Sequence, residues 1–126
     1  MILEINDVIV KPYVRMTRRG KYVNKQAKVY MRNKFVLQFK IKEDMRKRGH
    51  QMFPGQTPLW AKIFIQVPSS QGHRCDIDNI AKAILDACNN IVYPDDRWID
   101  ELEIKRVIGE RNYFHLYADS SEERII

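Results

Sequence analysis

Cysteine is scarce in this chain: Cys75 and Cys88 are the two among 126 residues. They flank a segment expected to be helical, at its opposite ends, too far apart to bridge. That excludes a disulfide framework and predicts reduced thiols in a cytoplasmic protein. Long apolar runs are also missing. None approaches the ~18 residues of a bilayer span, so no membrane partner is expected. The opening Met-Ile-Leu-Glu-Ile-Asn-Asp has no basic stretch and no small-residue cleavage site, so no signal peptide is expected. Repeats and low-complexity segments are absent too. At 44% hydrophobic and 30% charged residues the chain should fold, as one domain over 1–126 with a single core.

Acidic residues are few in the first part. Residues 1–50 hold 14 Lys/Arg against 4 Asp/Glu, whereas residues 51–126 hold 8 against 12. A basic half joined to an acidic cluster suits a metal-dependent enzyme acting on nucleic acid: cations for phosphates, carboxylates for a metal. The plainer alternative is a basic protein with a solvated face.

The acids concentrate in Asp76-Ile-Asp-Asn-Ile-Ala-Lys-Ala-Ile-Leu-Asp86, followed by Asp95-Asp96. Asp76 and Asp78 lie two apart, so an extended backbone points both the same way. Asp78, Lys82 and Asp86 recur at i, i+4, i+8 and form one helical stripe. Ile80, Ala81, Ile84, Leu85 and Cys88 supply the apolar face. Asp95 and Asp96 follow Pro94 in a turn, so four carboxylates are expected to converge from two segments. Like charges held close resist joint ionisation. Mg²⁺, which takes one or two carboxylates plus water and phosphate oxygens, relieves that conflict. Helix capping is the competing account of Asp76 and Asp78, worth ~0.5–2 kcal/mol. Asp86 reads as a solvated helix position.

Upstream, Lys11, Arg15, Arg18, Arg19 and Lys21 put five cations in eleven residues, interleaved with Tyr13 and Tyr22. Gly20 supplies a turn at their centre. Such a loop suits phosphate contact and base stacking. Arg74, just before the acidic stretch, is a further candidate phosphate ligand, and His73 a candidate base or metal ligand.

The remaining elements follow from periodicity. Residues 2–10 read as one or two short strands. Asn24 is positioned to cap a long helix over about 25–48, with Gly49 ending it. Two rows, Ala27–Met31–Phe35–Phe39 and Leu37–Ile41–Met45, predict a broad apolar face packed on a sheet. Residues 59–67 form a strong strand. Residues 98–109 and 112–118 form two more, joined by a hairpin at Gly109–Asn112. The result is an α+β fold: a mixed β-sheet with two helices packed on it, in the order β(β)–α–β–α–β–β.

On these motifs the chain resembles the RusA family of Holliday junction resolvases. They are Lys11-Pro12-x-x-Arg15-x-Thr17-Arg18-Arg19-Gly20, Asp76-x-Asp78-Asn79-x-x-Lys82-x-x-x-Asp86, and Asp95-Asp96. One departure is Trp98, where the family pattern carries Gln. The resemblance implies a RusA-like fold and a Mg²⁺-dependent crossover junction endodeoxyribonuclease. It implies a homodimer that nicks two strands of a four-way DNA junction symmetrically during recombination and repair. Carried over by position, Asp76, Asp78 and Asp96 become the metal-binding carboxylates, with Asp95 beside them. Lys82 becomes a catalytic or phosphate-positioning cation. Which of Asp95 and Asp96 faces inward stays open. The competing readings are a nucleic-acid-binding protein with a structural acidic cluster, or another metal nuclease, such as an RNase, on this scaffold.

Overall fold

The computed structural model describes residues 1–14, 25–68 and 75–121. The expected cap Asn24 and the turn at Gly20 lie outside them. Strand β1 (Ile2–Asn6) alternates, burying Leu3 and Ile5. Asp7 then adopts a left-handed backbone, φ 54°, which a short polar side chain tolerates and a strand does not. The apolar run Val8–Val10 is therefore irregular chain rather than the possible second strand.

Helix α1 (Lys25–Arg48) has the expected extent. It ends in a Schellman motif: Gly49 at φ 68° donates to the carbonyl of Arg46 at 3.3 Å, and His50 to that of Met45 at 2.9 Å. Its buried row is Ala27, Tyr30, Leu37, Ile41 and Met45. The expected burial of Met31, Phe35 and Phe39 is not seen; Phe35 is 72% exposed and Phe39 62%. Residues four apart rotate by about 40° per step around a helix, so a row begun at Ala27 drifts off the core. The row from Leu37 to Met45 stays centred on it.

Strand β2 (Leu59–Val67) leads through helix α2 (Ile77–Cys88) to a 3₁₀ turn (Asp96–Trp98) and strand β3 (Ile99–Ile108). Strand β4 (Tyr113–Ser120) completes a sheet ordered β1-β4-β2-β3. Strands β2 and β3 are parallel, as a helical crossover requires; β4 is antiparallel to β1 and to β2. The expected β3–β4 hairpin is thus replaced by a crossing over the end of β2. Gly109 donates to the carbonyl of Val67 at 2.9 Å there, and a Cβ at Gly109 would overlap the Gln66 side chain.

The mixed sheet and its two helices give the expected α+β architecture. One sheet face carries Leu3, Ile5, Leu59, Ile63, Ile65, Phe114 and Leu116, all buried in the core that also holds Leu37, Ile41, Ile80 and Ile84. Among the described residues no helix is long and apolar enough to cross a membrane.

Candidate active site along the acidic helix

Helix α2 buries Ile80, Ala81, Ala83, Ile84, Leu85, Ala87 and Cys88, so Asp78 and Lys82 of the i, i+4, i+8 stripe turn outward, while Asp86 is half-buried. Asp76 occupies the N-cap position with an extended backbone (φ −62°, ψ 134°), yet its carboxylate makes no capping hydrogen bond. The capping account does not hold for Asp76. Asp78 accepts from the amide of its neighbour Asn79 at 3.0 Å. Both acids are exposed. The entry to α2 is tied down by Arg106, whose guanidinium donates to the Cys75 carbonyl at 2.7 Å.

Lys82 lies 4.2 Å from the centroid of the Tyr13 ring, a cation–π contact. The Tyr13 amide donates to the Asn79 carbonyl at 3.0 Å, which fixes the segment after Lys11 against α2. Tyr13 meets the edge of Tyr30 at 5.6 Å, and the Tyr30 hydroxyl donates to Asp86 at 2.5 Å. Lys34 pairs with the same carboxylate at 3.2 Å. Asp86 is therefore a tie between the two helices, not a solvated position. Burial, and then the Asp86 hydrogen bond, push the Tyr30 phenol far above its ordinary range, so it stays a donor. Sequence spacing gives no sign of Tyr30 and Lys34 as partners of Asp86, because they stand on another helix.

The Asp95–Asp96 pair divides its roles. Asp95 accepts from the Arg97 amide at 2.9 Å and caps the 3₁₀ turn. The Asp96 amide is held by Asn89 at 2.9 Å. Desolvation, then the charges of Asp95 and Asp86, raise the Asp96 carboxyl above the usual carboxylate range. Asp96 lies close enough to Asp95 and Asp86 for their charges to act on it.

The expected convergence of four carboxylates is not what the fold produces. Among the described residues no three His, Cys, Asp or Glu side chains gather to hold a metal ion. Asp76 and Asp78 sit at the start of α2 and Asp96 beside its far end. That helix is 12 residues, about 18 Å, long. The reason is topological: Asp96 leads into β3, whose first residue is level with Leu59, while α2 follows the other end of β2. The donors at the mouth of α2 still fit Mg²⁺, which needs only one or two carboxylates and completes its shell with water and phosphate. Beside Asp76 opens a cavity of about 530 Å³, lined by Lys11, Tyr13, Lys25, Tyr30 and Asn79 among others. Of the other expected cations, Arg15, Arg18, Arg19, Lys21 and Arg74 lie outside the described residues, as does His73.

Both cysteines are free, and burial pushes the Cys88 thiol up to about 12. A family model, endodeoxyribonuclease RusA, matches residues 10–116. None of the curated proteins matches the chain. The matched span takes in the Tyr13 segment, both helices and the whole acidic stripe. The chain belongs to the RusA family of endodeoxyribonucleases.

Proposed function

We propose that this RusA-family chain is a Mg²⁺-dependent endonuclease acting as a homodimer on four-way DNA junctions, nicking two strands symmetrically during recombination and repair. The observation that carries the reading is the outward stripe of α2, with Lys82 braced on Tyr13 one turn beyond the exposed Asp76 and Asp78. A cation set between carboxylates suits a phosphodiester approached by a metal. Asp76 and Asp78 would hold the ion; Asp96 and its neighbour Asp95, about 18 Å away beyond the far end of α2, would not reach the same ion within one chain. When bound, Mg²⁺ polarises the scissile phosphate and lowers the pKa of bound water. Lys82 neutralises a phosphate oxygen, and the Tyr13 ring keeps its ammonium from swinging away. Lys11 and Lys25 line the adjacent cavity, where they attract the backbone of the incoming strand. Two free cysteines accord with a reducing, cytoplasmic setting.

A second reading, a nucleic-acid-binding protein whose acids are structural, draws on the separation between Asp76 and Asp96 along α2. One assay separates the two. A labelled synthetic four-way junction is compared with linear duplex and single strand, with Mg²⁺ and with chelator, for the wild type and Asp78→Asn. Paired nicks near the crossover that need both Mg²⁺ and Asp78 are expected. Tight junction binding without cleavage under any metal leaves the second reading standing.

A further inference from the structure

The cavity beside Asp76 is lined from three directions: by residues 11–14, by the first turns of α1 and by the entry of α2. Its apolar and aromatic wall is formed by Pro12, Tyr13, Val29 and Tyr30. Hydrogen bonds hold that wall in place. The side-chain oxygen of Asn33 on α1 accepts from the Lys11 amide at 2.9 Å, and the Asn33 side-chain amide donates to the Ile9 carbonyl at 2.5 Å. The Asn79 carbonyl accepts from the Tyr13 amide at 3.0 Å. The rings of Tyr13 and Tyr30 stand at 78° to each other, so a flat group lying on one meets the other at an angle.

We propose that this cavity receives the base of one unstacked nucleotide of the DNA strand presented for cutting. The proposal rests on the DNA-directed reading of the preceding section and names what the cavity holds. Size, charge and wall chemistry select the occupant. A volume of about 530 Å³ lies within the ~300–1,000 Å³ of small-ligand sites and is far too small to admit a duplex. Among the described lining residues Lys11 and Lys25 stand against one acid, Asp76, a balance that favours a phosphate-bearing ligand. Aromatic walls stack bases of any type, because every base has a π-face.

Placement ties the cavity to the acidic helix. Tyr13 lines it and also carries the Lys82 ammonium 4.2 Å from its ring centroid. Asp76 lines it as well. A base against Tyr13 therefore keeps its own phosphate within one nucleotide of Lys82 and Asp76. Holding the base fixes which phosphodiester those groups meet, which contact with a uniform backbone does not do. The Asn79 side-chain amide, at the same wall, can both donate to and accept from a base edge. Unstacking costs least where pairing is already disturbed. The branch point of a four-way junction is such a place, and the interior of a linear duplex is not.

The test is photo-crosslinking of the full chain to a four-way junction that carries iodouracil at one position near the branch point at a time, in chelator so that no strand is cut. Linear duplex and the iodouracil mononucleotide are run beside it, for the wild type, Val29→Trp and Val29→Ala. Val29 is an exposed wall residue, so Trp fills the cavity and Ala keeps it open. Irradiation should join one junction position to Tyr13 or Tyr30, identified by mass spectrometry. The yield should fall roughly tenfold or more in the duplex and in Val29→Trp, and persist in Val29→Ala. Crosslinks only outside the cavity, or a yield indifferent to Val29→Trp, overturn the proposal. Labelling by the mononucleotide as efficient as by the junction overturns the strand as the source of the base. Thermal melts establish that each variant is folded. No cleavage is read here, so the two failures are distinct: cleavage without this crosslink overturns the pocket alone, whereas a chain that binds no junction overturns both.

Discussion

The ammonium group of Lys82 rests 4.2 Å above the centre of the Tyr13 ring. This contact joins residues 69 positions apart in the chain, one from each motif, and it ties the N-terminal segment to the acidic helix. A cation–π contact at an exposed position is worth ~0.5–1 kcal/mol. Tyr13→Leu should therefore lower junction cleavage several-fold with little change in stability, while Tyr13→Phe, which keeps the ring, stays near the wild type. Single-turnover cleavage of a labelled junction reads the difference. Equal loss in both variants would show that the ring is not what positions Lys82.

Asp86 carries the link from α2 to α1. Removing one partner of a part-buried charged hydrogen bond costs ~1–3 kcal/mol. Tyr30→Phe and Asp86→Ala should each destabilise the fold by that order in urea unfolding. Their effects should combine to less than the sum, because either change breaks the same bond. Strict additivity would argue against the contact.

Ionised Asp96 is disfavoured by burial and by Asp95 and Asp86. Its folded-state pKa lies above the unfolded one, so ionisation lowers stability at neutral pH. In metal-free buffer Asp96→Asn should raise Tm by a few degrees at pH 7. The gap should narrow as pH falls through the raised pKa, and close below the ordinary carboxylate pKa of ~3.9, where both states hold the proton. A gap independent of pH would assign the effect to packing.

Cys88 is fully buried and its thiol is pushed up to about 12. A thiol reagent at pH 8 should modify Cys75 in the native protein and reach Cys88 only on unfolding, since the thiolate is the reactive form. Counting modified thiols by mass spectrometry with and without denaturant checks this.

The two apolar rows of α1 should differ sharply. Leu37→Ala removes a buried side chain and should cost ~2–5 kcal/mol. Phe35→Ala, at a position 72% exposed, should change unfolding stability by well under 1 kcal/mol. Chemical denaturation of both variants at the same protein concentration provides the comparison.

Much of the architecture is legible in the chain itself. The β-branched run 59–67 needs no tertiary help to be a strand, and α1 takes the expected bounds because Gly49 can turn left-handed where the helix must stop. The apolar face of α2 follows from residue spacing alone, and with it the outward placing of Asp78 and Lys82. The family resemblance rested on the same local motifs.

Other features depend on contacts between distant segments. Strand order is one: Gly109 to Asn112 reads locally as a turn, but β2 lies between β3 and β4. Whether Phe39 or Ile41 is buried turns on which side of α1 meets the sheet, and a spacing of four fits both. Asp95 and Asp96 are identical in type, and only the 3₁₀ turn and Asn89 give one a capping role and hold the backbone of the other. Asp86 looked solvated because its partners, Tyr30 and Lys34, are on another helix. The spread of the acids along α2 has the same origin: sequence proximity does not set distance when a rigid helix of about 18 Å lies between them.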